Sequence, residues 1–262
     1  MSRYHETYAA WKQDPARFWA EAAGAIDWVK PWRDVYAKVD GLDRWFVNAE
    51  CNTCWNAVDR HVKAGHGERL AVIYDSPITG AKAQYTYSQL LDEVATLGAA
   101  LEDLGVRKGD RVILYMPMIP QALFAMLACA RLGAIHSVVF GGFAPPELAT
   151  RINDAKPKVI MTASCGIEPN RVIPYKPLLD QALDIAAHKV EACVIFQREQ
   201  VAAELKTGRD HDWDGICHLA KGFGRKADCV PVQATDPLYI LYTSGTTGQP
   251  KGVVRDNGGH MV

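Results

Sequence analysis

RVILYMPMIPQALFAMLACARLGAIHSVVF, residues 111–140, is the stretch of sequence that decides the fold. Its first part, Arg111–Met116, is an apolar run of the length expected for a buried strand. The segment through Gln121–Arg131 is typical of a helix that ends at Gly133, and Ala134–Phe140 predicts a second buried strand. Two buried strands joined by a helix predict a parallel pair, the unit from which an α/β sheet is built.

The same alternation extends outward in both directions. Further strands are predicted at Leu70–Asp75, Gln84–Ser88, Lys158–Thr162, Ala192–Phe196 and Pro237–Tyr242, and further helices at Asn56–Lys63, Gln89–Leu104 and Leu178–Ala187. Ser88 is the predicted N-cap of the helix that begins at Gln89. Residues 199–235 are charged and show little periodicity, which predicts a surface excursion. We therefore expect an α/β fold with a mainly parallel sheet flanked by helices.

The first sixty residues differ from the rest, because they contain six of the seven tryptophans. Asp14 followed by Pro15 is a plausible helix start, and the spacing of Trp11, Phe18 and Trp19 suits a helix laid on a surface. Clustered rings of this kind usually form a core, so packing is favoured over stacking on nucleotides. We predict an N-terminal aromatic helical cap of short helices and irregular chain over residues 1–58, followed by an α/β domain over residues 59–262.

Composition narrows the classes of function. The chain has 262 residues with a formal net charge of -1, which favours neither nucleic acid nor a membrane surface as a partner. Seven scattered cysteines are typical of reduced thiols in the cytosol. Met1–Ala10 lacks an apolar segment, so we expect no signal peptide and a cytoplasmic protein.

YTSGTTGQPKGVV, residues 242–254, is the stretch that carries chemistry. A buried strand leads directly into two glycines, four hydroxyl side chains and Lys251. Glycines let backbone N–H groups approach an anion, hydroxyls add donors, and the lysine adds a charge, which together predict a phosphate-binding loop. It is not a Walker A loop, because Pro250 precedes the lysine and Val253 and Val254 continue as a strand.

Residues 243–252 resemble the signature loop of the AMP-forming adenylate synthetases, the superfamily of acyl-CoA synthetases, luciferase and peptide-synthetase adenylation domains. Residues 108–120 and 125–143, with Trp11, Phe18 and Trp19, resemble short-chain acyl-CoA synthetases of the acetyl and propionyl type. Residues 74–79, 165–171, 175–180 and 255–259 are similar to propionyl-CoA synthetase. The resemblance covers essentially the whole chain. It implies a truncated large N-terminal domain of the adenylate-forming fold, because the family chain is more than twice as long.

The resemblance also implies the ligands and their residues. The loop would hold the β- and γ-phosphates of ATP through Thr243, Ser244, Gly245, Thr246, Thr247, Gly248 and Lys251. CoA would bind along Phe140, Gly141, Gly142, Arg171 and Ile173. Magnesium would accompany ATP in the full-length enzyme, and this chain is expected to contain neither a metal ligand nor a catalytic side chain. Arg171 suits a CoA phosphate or a surface salt bridge, and Glu168 stands where acetyl-type relatives carry a second arginine.

The implied function is the ATP-dependent activation of a short-chain carboxylate, propionate before acetate, to its acyl-CoA through an acyl-adenylate. Two other functions stay open: a module that binds CoA or nucleotide without chemistry, and a non-catalytic partner of a full-length synthetase. The acyl pocket is expected past Val262, so the sequence does not fix the acid.

Three weaker signals are interpreted structurally. Cys51-Asn-Thr-Cys54 lacks zinc-finger spacing and predicts structural thiols. Gly222-Phe-Gly-Arg-Lys-Ala227 matches a dinucleotide pattern, but no apolar strand precedes it, so we treat the match as chance. His136 lies in an apolar run and is interpreted as a core histidine rather than a base.

Overall fold

The computed structural model describes residues 3–243 and 250–262. Its helices are α1 (Arg3–Gln13), α2 (Pro15–Ala23), α3 (Tyr87–Asp103), α4 (Pro120–Leu132), α5 (Pro145–Ala155), α6 (Tyr175–Ile185), α7 (Trp213–Gly222) and α8 (Asn257–Met261). Its strands are β1 (Asp34–Val39), β2 (Leu42–Val47), β3 (Glu50–Cys51), β4 (Leu70–Asp75), β5 (Lys82–Thr86), β6 (Arg111–Met116), β7 (Ile135–Phe140), β8 (Val159–Ala163), β9 (Cys165–Glu168), β10 (Arg171–Pro174), β11 (Ala192–Phe196), β12 (Asp210–Asp212), β13 (Val232–Gln233), β14 (Pro237–Thr243) and β15 (Lys251–Asp256). Two π-helical segments, Trp55–Asp59 and Val62–His66, precede β4. None of these helices is long and apolar enough to span a bilayer.

A seven-stranded sheet organises the body in the order β12-β11-β8-β6-β7-β14-β15. Every neighbouring pair is parallel except β14 and β15. The expected mainly parallel sheet is therefore confirmed.

Helices cover both faces of this sheet, because successive residues of a strand point to opposite sides. On β6, Val112 and Leu114 pack into a core with α3, α4 and α7, whereas Ile113 and Tyr115 pack into a second core with α5 and α6. β7 and β8 lie on opposite sides of β6. The direction of winding thus reverses at β6, and in doubly wound sheets a crevice opens outside the carboxyl ends of the strands at such a point.

The predicted start of α3 is corrected by two residues. Ser88 was the expected N-cap, but Thr86 takes that role: its Oγ1 accepts a hydrogen bond from the Gln89 N–H at 3.3 Å. The Gln89 side chain accepts in return from the Thr86 N–H at 2.9 Å. This is a capping box, and its Thr-x-x-Gln spacing was present in the sequence.

The expectation of a surface excursion over residues 199–235 was wrong. β12 extends the sheet beside β11, and α7 packs against α3. Trp213 and Cys217 of α7 are buried, and with Ile216 and Ala220 they have the i, i+3, i+4, i+7 spacing of an amphipathic helix. This apolar spacing was missed because the helix has only ten residues and lies between charged segments.

In the N-terminal region, the predicted short helices are present, but part of the chain that follows them is not irregular. α1 and α2 are present, and the Asp14 side chain caps α2 by accepting from the Arg17 N–H at 3.0 Å. Residues that were expected to be irregular instead form the antiparallel hairpin β1–β2. The hairpin, α2 and the chain between them bring together a set of rings that we call the aromatic cluster: Trp19, Trp28, Trp32, Trp45 and Phe46.

Candidate functional site

The crevice at the carboxyl ends of the parallel strands contains a cavity of about 540 Å³. Met116 at the end of β6, Phe140 at the end of β7 and Tyr242 near the end of β14 line it. Its floor is largely apolar, and a few polar side chains reach it from the loops. This is the position in which α/β sheets of this topology bind ligands.

The predicted phosphate loop connects β14 to β15, and Tyr242 near the end of β14 lines the cavity. Ser244, Gly245, Thr246, Thr247 and Gly248 lie outside the described residues. The two residues that frame them, Thr243 and Lys251, are paired partners on the antiparallel strands β14 and β15. No helix begins at Lys251, so the expected distinction from a Walker A loop is confirmed.

Tyr242 connects the loop to the cavity, since it lines the cavity and immediately precedes Thr243. Its hydroxyl donates to Asp154 Oδ2 at 2.5 Å, and the guanidinium of Arg151 lies 5.5 Å from its ring centre. Burial, together with the Asp154 hydrogen bond, raises the pKa of Tyr242. The phenol therefore stays protonated and anchors the strand that enters the loop.

The predicted CoA segment Phe140–Gly142 is shaped by Tyr115. The Tyr115 hydroxyl donates to the Phe143 carbonyl at 2.9 Å and accepts from the Gly142 N–H at 3.1 Å. Gly142 has a φ of +96°, a conformation that favours glycine. Burial raises the pKa of Tyr115 to about 12, against the opposing effect of the Gly142 hydrogen bond.

A second tyrosine, Tyr175, packs closely against two glycines, Gly141 and Gly166, of the same wall. A Cβ added to Gly141 would lie 2.6 Å from the Tyr175 ring, and one added to Gly166 would lie 2.1 Å from its hydroxyl oxygen. Neither position accepts a side chain without movement. The glycines at both positions thus let the backbone approach a buried ring, which fixes one wall of the crevice.

The other predicted CoA residues lie on the adjoining β9–β10 hairpin. Ile173 pairs with Gly166 and is partly buried, whereas Arg171 is 68% exposed. Arg171 Nε lies 2.7 Å from Glu168 Oε2, and this hydrogen bond raises the pKa of Arg171. The structure brings Phe140 and Gly141 into the cavity lining, while Arg171 is held in a surface salt bridge beside it.

Sequence reasoning missed the tyrosines and arginines of the crevice. Tyr115 carried a signal, because it is the one hydroxyl among the buried apolar residues that follow Arg111 in β6. Tyr175, Arg151 and Arg198 carried none, because each reaches the cavity from a different element.

The described residues contain one group with metal-capable side chains, Cys54, Asp59 and Cys229, whose ligand atoms lie within 4.8 Å of one another. A guanidinium already occupies the cationic position there: Arg131 Nη1 is 2.8 Å from Asp59 Oδ2 and 3.6 Å from Cys54 Sγ. Both Cys51 and Cys54 are fully buried. The arrangement fits structural thiols around a buried ion pair.

His136 is 8% exposed in β7, and its ring lies 5.6 Å from that of Tyr239. Burial, with a smaller effect of His260, lowers the pKa of His136 to about 4. It is thus a neutral core histidine, although its Nδ1 has no hydrogen-bond partner within the described residues.

Two family models together match almost the whole sequence of this chain. The family model described as AMP-binding enzyme covers residues 58–261, and the model described as acetyl-coenzyme A synthetase N-terminus covers residues 4–57. An uncharacterised protein of Pseudomonas aeruginosa is 54% identical over 99% of this chain and 41% of its own length. The human mitochondrial protein named acyl-CoA synthetase short-chain family member 3 is 52% identical over 100% of this chain and 38% of its own length.

An acetyl-coenzyme A synthetase of Yersinia pestis is 42% identical over 99% of this chain and 40% of its own length. The chain therefore spans about two fifths of the length of these relatives. Its family match extends through the crevice, the β14–β15 hairpin and the loop between those strands. With that match over 58–261, the chain belongs to the AMP-binding enzyme family.

Proposed function

We propose that this chain forms the part of an AMP-forming acyl-CoA ligase that holds the ATP phosphates and receives CoA. The observation that carries the proposal is the pairing of Thr243 with Lys251 on β14 and β15, directly after Tyr242, which lines the cavity. A loop of glycines, hydroxyls and a lysine provides donors and charge for a triphosphate. The names of the human and Yersinia pestis relatives support the same class of reaction.

In this reaction a carboxylate attacks the α-phosphate of ATP and releases pyrophosphate, and the thiol of CoA then displaces AMP. The contribution of the chain is to position and to neutralise charge rather than to react covalently. Lys251 would offset the charge that develops on the departing pyrophosphate. The Phe140–Gly142 wall would receive CoA.

We further propose propionate as the preferred acid. The support is the resemblance of residues 74–79, 165–171, 175–180 and 255–259 to propionyl-CoA synthetase. The partition between propionate and acetate is measurable as a ratio of kcat/KM values in a protein that contains the acyl pocket.

The test is isotopic exchange of pyrophosphate into ATP, which needs no CoA. This chain would replace the matching segment of the human relative, so that the remaining three fifths are supplied. Lys251→Ala should slow propionate-dependent exchange about 10²–10³-fold, because one charged contact to the transition state contributes about 2–4 kcal/mol. Lys38→Ala, which removes an exposed lysine paired with Asp43, is the matched control and should leave exchange unchanged.

The alternative functions give different results in the same fusion protein. A non-catalytic binding module or a docking partner predicts no exchange even when the rest of the enzyme is supplied, together with measurable binding of ATP or CoA. Exchange that is intact in the Lys251→Ala protein would show that the loop does not bind the triphosphate.

A further inference from the structure

Two cavities meet at Arg198, just past the carboxyl end of β11. The first is the 540 Å³ cavity of the crevice, and the second, of about 410 Å³, lies between the β4–β5 hairpin and the end of β11. Arg198 lines both of them. Arg198 thus faces both cavities, which together extend from Phe140 and Gly141 to the β4–β5 hairpin.

The other basic side chains of these cavities are already neutralised. Arg151 Nη1 lies 3.0 Å from Glu147 Oε2, and Lys82 Nζ lies 2.9 Å from Asp75 Oδ2. In the part of the chain that the structure describes, Arg198 has no carboxylate within 4.0 Å. Glu168 and Glu199 line the two cavities but form no ion pair with Arg198. A half-buried arginine without an ion pair is stabilised when an anion is supplied from outside.

Arg198 is also held in place. Its backbone N–H donates to Ser164 Oγ at 2.8 Å, and its Nη1 donates to the Cys165 carbonyl at 3.1 Å. A guanidinium has five N–H donors in a planar fork, so one anchoring bond leaves others for a ligand. The side chain is therefore pre-oriented, which lowers the entropy cost of binding.

A neutral donor lines the same cavity as this cation. Tyr175 is a lining residue of the first cavity, and its hydroxyl makes no hydrogen bond among the described residues. The charge of Arg198 acts on Tyr175, since it lowers the pKa of the phenol against the larger, raising effect of burial. A guanidinium and a phenol that face one groove form a site for a tetrahedral oxyanion such as a phosphate ester.

We propose that Arg198, assisted by the Tyr175 hydroxyl, binds a phosphate group of CoA. The inference rests on the proposed function, which supplies CoA as the ligand, and it assigns a role to Arg198. The apolar floor of the first cavity suits the pantetheine arm that extends from these phosphates. Arg171 is the competing candidate, but Glu168 at 2.7 Å already neutralises it and its side chain is exposed.

Binding to the 262-residue chain, measured by isothermal titration calorimetry, tests the proposal. The ligands are CoA, dephospho-CoA, which lacks the 3′-phosphate, and pantetheine, which lacks every phosphate. Arg198→Ala should weaken CoA binding about 10- to 100-fold, the range of a charge-assisted hydrogen bond, and should leave pantetheine within about threefold. Arg198→Lys should recover part of the affinity, because it keeps the charge and loses the fork.

Dephospho-CoA distinguishes the two phosphate positions of CoA, the 3′-phosphate and the diphosphate. A loss for CoA alone places Arg198 on the 3′-phosphate, whereas an equal loss for dephospho-CoA places it on the diphosphate; both outcomes support the proposal. Lys82→Ala is the matched control, since it removes a paired cation from the same groove and should change CoA affinity by less than about threefold.

Three outcomes overturn the proposal. These are unchanged CoA affinity in a folded Arg198→Ala protein, a larger loss from Arg171→Ala than from Arg198→Ala, and absence of CoA binding by the unsubstituted chain. Arg198→Gln repeats the measurement with a longer polar side chain if the alanine variant unfolds. Failure of the proposed function is distinguishable, because it is measured by pyrophosphate exchange in the absence of CoA.

Discussion

The aromatic cluster packs rings against rings, whereas the crevice packs rings against glycines. In the cluster, Trp28 lies 5.3 Å from Trp32 and 5.3 Å from Phe46, measured between ring centres. In the crevice, Tyr175 lies against Gly141 and Gly166, with no room for a Cβ at either position. The same residue class therefore does two things: it buries apolar area in one region and fixes the path of the backbone in the other.

This difference predicts how the two regions respond to substitution. Substitutions among packed rings lower stability in proportion to the apolar area that is no longer buried. They have no direct effect on a distant groove. A ring that fixes backbone shape is sensitive to added atoms as much as to lost ones. Changes in the aromatic cluster should lower stability at constant ligand affinity, while changes in the crevice should lower both.

Phe46→Ala should give the largest loss of stability. Phe46 is 1% exposed and contacts three tryptophans of the aromatic cluster. Removing a buried phenylalanine ring lowers the free energy of unfolding by about 3–5 kcal/mol, because transfer energy is lost and a cavity remains. Chemical denaturation measures this loss, and CoA affinity of the folded fraction should not change.

Phe223→Ala is the matched control for that experiment, since Phe223 is 79% exposed. Its effect should stay within about 0.5 kcal/mol. An equally small effect of Phe46→Ala, or a separate unfolding transition, would show that the aromatic cluster is not part of the cooperative unit.

Gly166→Ala should have an intermediate effect on stability and a distinct effect on binding. The new methyl would lie 2.1 Å from the Tyr175 hydroxyl oxygen, so the ring or the β9–β10 hairpin must move. Overpacking of this kind costs about 1–3 kcal/mol. Because the ring lines the cavity, CoA affinity should fall about tenfold in calorimetry, a loss that corresponds to about 1.4 kcal/mol.

Gly222→Ala provides the control, because a Cβ there would meet nothing within 4 Å at the end of α7. It should leave CoA affinity unchanged and stability equal or slightly higher. If Gly166→Ala were as harmless as Gly222→Ala, the close approach of ring and glycine would not determine the shape of the groove.

The sequence predicted the buried strands well for a physical reason. β6, β8 and β11 are covered on both faces, so each is a continuous apolar run that can be recognised from its own residues. The phosphate loop was recognisable for the same reason, since its glycines, hydroxyls and Lys251 are consecutive. Local information was sufficient wherever the determining residues are neighbours in the chain.

Features that depend on distant residues were missed or misplaced. Tyr175 meets Gly141 across 34 positions, and no periodicity in either segment indicates that contact. Arg171 had the right charge for a phosphate, but only the structure shows that Glu168 neutralises it. The β1–β2 hairpin was missed because half of its residues remain exposed, which removes the clear alternation of buried and exposed positions.

Tyr115→Phe tests the smallest predicted effect, because it removes one oxygen and keeps the ring. The Gly142 N–H and the Phe143 carbonyl each lose a partner, which should cost about 0.5–1.5 kcal/mol in unfolding free energy. The Phe140–Gly142 segment would then be less fixed, so CoA affinity should fall by a few-fold. Tyr85→Phe is the control, since its ring packs on Phe124 at 5.1 Å and its hydroxyl has no partner among the described residues. Equal losses from the two substitutions would mean that the Tyr115 hydroxyl does not shape the crevice, and that its ring alone accounts for its place in the core.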